Sequence, residues 1–281
     1  MIVSTRPISF ADVADHYDEL DAFYRDLWGD HVHHGLWQTG RETSEEAVGT
    51  MVRLVAQQAK IATGDRVLDI GSGYGAVARL LAREFGARVT AITISPAQYY
   101  YANGSDPTTN PKYLLGDWLT TEFLPGSFDA AVAIESSEHM PDTKGFFRRA
   151  FAMLAPGGRL VVCSWLAKEN VDWWRRRSLL EPICREGKIP RLLCAPELIA
   201  EAEAAGLTVG AWQDLTDRVR RTWPIVVWRF ARRLASSRRY RSFLLDSSHR
   251  NRVFSLTIVR IWAAYWTGAM RYGLFRFTKH K

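Results

Sequence analysis

Between residues 44 and 165 the apolar positions change period repeatedly, and each change marks an element. Residues 44–61 (SEEAVGTMVRLVAQQAKI) open on Ser44, carry Glu45 and Glu46 in the first turn, and then repeat apolar residues at helical spacing. A TGD turn follows, and RVLDI, ending at Gly71, is the short apolar run expected of a strand buried on both faces. Helical spacing returns over 75–85, ARVTAITIS is strand-like, FDAAVAIES (128–136) is a further strand, 143–154 a helix, and GGRLVVCSW (157–165) a strand. This alternation predicts a parallel, doubly wound α/β sheet, whose ligands bind beyond the carboxyl ends of the strands. Residues 165–195 interrupt the pattern with a helical insertion. PELIAEAEAAGLTVGAWQDLT returns to helix, turn and strand, and a long helical stretch over 216–269 precedes the apolar-aromatic tail MRYGLFRFTK.

The chain has 281 residues, 47% of them hydrophobic and 24% charged, which excludes a disordered or fibrous class and allows a full core. Cys163, Cys184 and Cys194 form no CxxC pair and no ligand ladder with histidine, which argues against a disulfide framework or structural zinc and fits a reducing cytosol. The N-terminus lacks an apolar signal core, so the expected location is cytoplasmic. No stretch reads as a bilayer span: 223–234 and 253–270 are apolar but interrupted by arginine.

Charge divides the chain. Residues 1–160 hold 14 Lys and Arg against 20 Asp and Glu, a net of −6, whereas 161–281 hold 23 against 10, a net of +13, with eight of the eleven tryptophans. Either arginine solvates helix faces while tryptophan fills a core, or the second half meets something anionic, apolar or both, such as a lipid phosphate, a prenyl diphosphate or a membrane surface.

Chemistry-bearing residues gather at four strand ends. After the first, VLDIGSGYGAVA sets Asp69 before Gly71, Ser72, Gly73 and Gly75; the pattern is GxGxG without a phosphate-gripping lysine, so a nucleoside-like ligand suits it better than a pyrophosphate. The second end carries Thr93, Ser95 and Gln98, the third Asp117 and Trp118, and the fourth, AIESSEHMPDTKGFF, Glu135, Glu138 and His139. A Glu/His pair can accept a proton, and a carboxylate can stabilise a developing cation through space. Glu138 as a helix cap and His139 as a supporting hydrogen-bond partner is the plainer alternative.

The run hhDhGxGxG followed by a second strand resembles the first motif of class I S-adenosylmethionine-dependent methyltransferases. The resemblance implies a seven-stranded Rossmann-like sheet with the tail as its antiparallel last strand, and glycines lying against the methionine and ribose parts of the cofactor. Most of that family places an acid at the second strand end. ITISPAQ instead is similar to the branch of cyclopropane fatty acid synthases and gamma-tocopherol methyltransferases, where Thr93, Ser95 and Gln98 would serve the ribose. By the same resemblance Asp117 accepts from the adenine amine, Trp118 covers the ring, and Glu135 faces the cofactor's amino acid part or the reaction centre. ESSEHMPD closely resembles the tocopherol-methyltransferase segment, which makes Glu138 and His139 candidate catalytic groups.

Residues 17–37 (YDELDAFYRDLWGDHVHHGLW) are too aromatic for a casual surface arm and again resemble that branch. There such a segment folds over cofactor and acceptor, so Tyr17 is a candidate catalytic residue and Tyr24, Trp28, His33 and Trp37 candidate acceptor contacts. His31, His33 and His34 are not read as metal ligands, because no carboxylate or cysteine completes a set and methyl transfer from a sulfonium needs no metal.

The organisation expected is therefore a lid over 1–43, an S-adenosylmethionine-binding core over 44–165, a helical insertion over 166–195, and the end of the sheet with a helical acceptor cap over 196–281. The resemblance favours C-methylation of an isoprenoid or prenylated aromatic. A prenyl diphosphate and an alkaloid-type amine stay open as acceptors, as do peripheral membrane contact and homo-oligomerisation. A nucleic-acid methyltransferase would carry an NPPY-like tetrapeptide where ESSE stands, so no nucleic-acid partner is expected.

Overall fold

A computed structural model describes residues 1–105 and 108–280. A short strand β1 (Ile2–Val3) leads to helix α1 (Phe10–Leu27), whose start is fixed by a reciprocal cap. The Asp12 N–H donates to Ser9 Oγ at 3.2 Å, and the Ser9 N–H donates to Asp12 Oδ2 at 2.8 Å. Thr43 and Glu46 open α2 (Ser44–Gln58) in the same way. Strand and helix then alternate through β2 (Arg66–Ile70), α3 (Ala76–Phe85), β3 (Arg88–Thr93), α4 (Pro96–Ser105), β4 (Lys112–Leu115), β5 (Phe128–Ile134), α5 (Thr143–Met153) and β6 (Leu154–Ala167). The insertion is α6 (Trp173–Arg175), a π-turn at Arg176–Leu180, α7 (Glu181–Glu186) and β7 (Arg191–Leu192). The rest comprises α8 (Ala195–Ala204), β8 (Leu207–Asp214), α9 (Thr216–Val219), α10 (Thr222–Ser236), α11 (Arg238–Leu245), α12 (Phe254–Trp266) and β9 (Met270–Lys279).

Seven strands form one sheet in the order β4-β3-β2-β5-β6-β9-β8, parallel except for β9, which runs antiparallel to both neighbours. The core lies on both faces because successive strand residues point to opposite sides. In β6, Val161 and Cys163 join the layer under α2, α3 and α12, while Leu160 and Val162 join the layer under α5 and α8. β9 divides alike, with Tyr272 and Leu274 on the first face and Phe275 and Phe277 on the second.

Two differences from the sequence reading have local causes. The helical stretch over 216–269 is broken into four α-helices and one 3-10 turn: Ser237 is extended after α10, and residues 246–249 followed by the 3-10 turn Arg250–Val253 separate α11 from α12. β1 and β7 pair antiparallel, Ile2 against Leu192, and two-residue strands have no period to read. No helix among the described residues is long and apolar enough to cross a membrane.

The strand order reverses between β2 and β5, so the loops after these strands open a crevice rather than crossing one another. Gly71 and Ser136 meet at that point: Ser136 Oγ donates to the Ile70 carbonyl at 2.5 Å, and a Cβ on Gly71 would lie 2.3 Å from Ser136 Cβ. Only glycine fits there, with φ +77°.

Candidate active site

The crevice is a cleft of about 680 Å³ lined by Gly71, Gly73, Thr93, Gln98, Asp117 and Trp118 from the first three strand ends, and by Glu135, Ser136 and His139 from the fourth. Thr93 Oγ1 donates to Gln98 Oε1 at 2.7 Å, holding the pair as one unit at the wall. Asp117 Oδ1 accepts from the Leu119 N–H at 2.7 Å. The surroundings fit a nucleoside-like ligand in two respects. Trp118 Nε1 is buried with no hydrogen-bond partner, and a Cβ on Gly73 would enter open space, so backbone faces the cleft without obstruction.

Asp69, Ser72, Gly75 and Ser95 do not line the cleft. Asp69 and Ser72 are buried beneath the glycine loop, with Asp69 Oδ2 and Ser72 Oγ unpartnered, and burial pushes the Asp69 carboxyl up to about 7. Gly75, at φ +78°, makes room for Tyr113, whose ring would lie 2.6 Å from a Cβ there. Ser95 binds the N-terminal helix: its Oγ donates to Asp18 Oδ1 at 2.5 Å, and the same oxygen accepts from the Ala97 N–H at 3.2 Å. Tyr74 Oη donates to Asp21 Oδ1 at 2.9 Å, and Tyr101 Oη and Arg79 reach the two oxygens of Asp30 at 2.7 and 2.8 Å. Three aspartates of the N-terminal segment thus dock on the core.

A second chamber of about 520 Å³ lies across that segment, between α1, Trp165 and the inner faces of α10 and α12. Tyr24, Trp28, Trp165, Trp223, Phe254 and Ile261 make its walls predominantly aromatic, and no lysine or arginine is among its lining residues. Tyr24, Trp28 and His33, the candidate acceptor contacts, line it. Trp37 does not: its indole N–H donates to Thr222 Oγ1 at 3.3 Å, beside the chamber, and supports the start of α10.

Four residues line both spaces: Tyr17, Val32, Glu135 and His139. His139 Nδ1 lies 2.9 Å from the Lys188 carbonyl, which can only accept, so Nδ1 carries the proton and Nε2 is the acceptor for Tyr17 Oη at 3.0 Å. Burial lowers the His139 pKa and keeps the ring neutral. Burial, with the charges of Glu138 and Glu135, raises the Tyr17 hydroxyl, which stays protonated.

Glu135 takes a left-handed backbone, φ +54°, uncommon for a residue other than glycine. Its Oε1 accepts from the His34 N–H at 2.6 Å and from Tyr272 Oη at 2.8 Å, with His34 Nδ1 at 3.0 Å; its Oε2 accepts from Trp165 Nε1 at 2.7 Å. Trp223 Nε1 donates to His34 Nε2 at 2.6 Å, which turns the Nδ1–H toward the carboxylate. Burial pushes Glu135 up, but the His34 contacts outweigh it and hold the carboxyl near 2. Trp165, Trp223 and Tyr272 were not singled out in the sequence, because nothing local marks residues that converge from three distant segments.

Glu138 reaches neither chamber. In the 3-10 turn Ser137–His139 its side chain is buried and bonded to β6. There Oε1 accepts from the Trp165 N–H at 3.2 Å, and Oε2 lies 3.4 Å from both Ser137 Oγ and Ser164 Oγ. Burial, aided by the neighbouring Glu135 charge, raises its pKa to about 8. The geometry therefore pairs His139 with Tyr17 rather than with Glu138.

A reversed-order sheet, a glycine-lined nucleoside cleft and an adjoining apolar chamber define a class I S-adenosylmethionine-dependent methyltransferase. The chain belongs to the mycolic acid cyclopropane synthetase family, whose model matches residues 5–276. It is 26% identical to the chloroplastic tocopherol O-methyltransferase of Arabidopsis thaliana, over 93% of this chain and 80% of that one. It is 28% identical to the 2-methyl-6-phytyl-1,4-hydroquinone methyltransferase of Synechocystis, over 94% and 86%. Its fold matches that of the mycolic acid cyclopropane synthase CmaA1, solved with SAH and CTAB, with a TM-score of 0.82 at 20% identity, over 98% of this chain and 99% of the other.

Proposed function

We propose that the protein methylates a carbon atom of a hydrophobic acceptor of isoprenoid or prenylated aromatic type, at the boundary where the two chambers share Tyr17 and His139. Bound S-adenosylmethionine supplies a methyl group already activated on a sulfonium. The residues placed to hold it are Gly71 and Gly73 along its amino acid part, Thr93 and Gln98 at the ribose, Asp117 at the adenine amine and Trp118 at the ring. Asp69, Ser72 and Gly75 shape the loop beneath, and Ser95 fastens the lid.

With the methyl already activated, the protein's work is positioning, exclusion of water and removal of a proton. The docked α1 closes over both spaces, and Tyr24, Trp28 and His33 wall the acceptor in. A proton shed by the acceptor passes to the Tyr17 oxygen as the Tyr17 proton moves to His139 Nε2, because only that ring nitrogen is free to accept. Glu135, ionised and saturated with donors, is no base; its charge stabilises a cation developing on the acceptor. Glu138 and Trp37 support the site from behind.

The observation that carries this reading is the aromatic chamber that shares Tyr17 and His139 with the cofactor cleft. Its lack of lysine and arginine favours a prenylated phenol or quinol over a prenyl diphosphate. The test incubates the protein with methyl-labelled S-adenosylmethionine and pools of prenylated phenols and quinols, prenyl diphosphates and amines, and separates organic from aqueous products. Label entering the organic phase directly from the phenol pool is the expected result. Label that moves there only after phosphatase treatment, or that stays on an amine, overturns the proposal.

A further inference from the structure

Helix α12 is apolar on the side that faces away from the protein as well as on the side that faces in. Thr257, Ile258, Ile261, Ala264 and Tyr265 are buried, while Leu256, Val259, Trp262 and Trp266 are exposed, Leu256 at 55% and Trp266 at 80%. At 100° per residue these four exposed positions fall within about one third of the helix circumference. A row of large apolar side chains on the outside of a helix has no packing reason.

Aromatic residues are exposed on neighbouring elements as well. α12 packs against α10, α7 and the π-turn. Trp228 of α10 is 60% exposed with the Arg232 guanidinium 5.6 Å from its ring centroid. In α6, next to the π-turn, Trp173 and Trp174 are exposed, with Arg177 and Arg175 over their rings at 5.8 and 5.3 Å. The face is held rigid from below, where Glu186 of α7 accepts from Thr257 Oγ1 at 2.5 Å and pairs with Arg260. The segment that carries these helices is strongly basic: residues 218–281 hold 16 Lys and Arg and a single acid, Asp246.

We propose that the outer faces of α10 and α12, flanked by Trp173 and Trp174, dock the protein on an anionic phospholipid bilayer. Indole rings with arginines over them suit the headgroup boundary, the apolar row reaches the acyl chains, and the excess of arginine meets lipid phosphate. A second copy of the chain is disfavoured, because a symmetric contact would set the same basic surface against itself. The docking face and the acceptor chamber are opposite sides of the same two helices, since Trp223, Phe254 and Ile261 line the chamber from within. The proposal rests on the hydrophobic-acceptor reading only for the use of docking, which lets a membrane-dissolved acceptor enter beside the helices that bind it.

The test reads binding without turnover. Native protein is sedimented with vesicles of phosphatidylcholine containing phosphatidylglycerol, and with vesicles of phosphatidylcholine alone. Binding to the first, weakened by added salt and weak or absent with the second, is expected. The variant carrying Leu256→Gln, Val259→Gln and Trp266→Gln keeps good helix formers at exposed positions and is expected to lose at least about tenfold in partitioning. Its melting temperature and its turnover of detergent-dispersed acceptor are expected to stay unchanged. Quenching of native tryptophan emission by brominated lipid gives a second readout that needs no variant. No sedimentation with the anionic vesicles, or a variant that binds them as well as native protein, overturns the proposal. So does a native dimer that the triple variant dissociates. Loss of all methyl transfer with vesicle binding intact would instead strike the functional reading alone.

Discussion

The Tyr17 hydroxyl lies 3.0 Å from His139 Nε2, and both side chains line the cofactor cleft and the aromatic chamber. The contact spans 122 positions of sequence and exists only because α1 is docked over the fourth strand end. Tyr17→Phe keeps the ring and removes the hydroxyl to which the proposed mechanism assigns the proton relay. Its turnover is expected to fall by about 10²-fold, in the range of a lost general acid–base group. Affinity for S-adenosylhomocysteine, measured by calorimetry, is expected to hold. Equal losses in both would mean that Tyr17 only shapes the cleft.

Ser95 reaches Asp18 rather than the cleft. Ser95→Ala leaves a charged acceptor short of one donor, a change of about 1.5–3 kcal/mol for a hydrogen bond to a charged group. The expected signature is faster amide hydrogen exchange over residues 10–27 and weaker retention of cofactor, with little change in global melting. Unchanged exchange in α1 would show that the docking does not depend on this contact.

Gly71 and Gly73 both have positive φ, at +77° and +53°, but differ in what surrounds them. A methyl group at 71 would collide with Ser136 Cβ at 2.3 Å, whereas one at 73 meets nothing within 4 Å. Gly71→Ala is expected to forfeit cofactor binding and destabilise the fold. Gly73→Ala should cost about 1 kcal/mol of backbone strain in the free protein, by thermal melting, and lose cofactor affinity only if the ligand lies against that glycine.

Glu138 gives a pH dependence whose sign is fixed. Its folded pKa of about 8 stands above the ordinary 4.5, so between these values the folded protein holds a proton that the unfolded chain has released. The stability this confers is complete below about pH 4.5 and is lost as pH rises through about 8. Asp69, raised from 3.8 to about 7, acts in the same direction. Glu135, held near 2, acts oppositely: its contribution is complete above about pH 4.5 and is lost as pH falls through about 2. Glu138→Gln retains an acceptor for the Trp165 N–H and removes the titration. Its melting temperature is expected to exceed that of native protein by about 2–5 °C above pH 8. Turnover is expected to stay close to native, because the side chain lines neither chamber. A loss matching that of Tyr17→Phe would return Glu138 to the reacting atoms.

The sheet was legible because its strands are short apolar runs bounded by turns and alternating with longer helical-period segments, and the glycine loop because positive φ favours glycine. Thr93 closes β3, Gln98 lies in the first turn of α4 just beyond it, and Asp117 and Trp118 follow β4, so the strand ends located all four beside the cleft. Ser95 and Glu138 lie off the cleft for a common reason. Adjacent residues on a turn point in different directions, and sequence spacing does not say which one faces the ligand. The clamp on Glu135 was hidden because His34, Trp165, Trp223 and Tyr272 come from a loop, two strands and a helix. No local pattern joins them.

The most direct test uses S-adenosylmethionine with a carbon-13 methyl group and a prenylated quinol that the protein turns over, and reads the product by NMR to find the atom that received the methyl. The expected result is a methyl bonded to a ring or alkene carbon, formed at a rate that Tyr17→Phe depresses. A methyl on oxygen or nitrogen would contradict the assignment of carbon as the acceptor, even with the fold and the cofactor cleft as described.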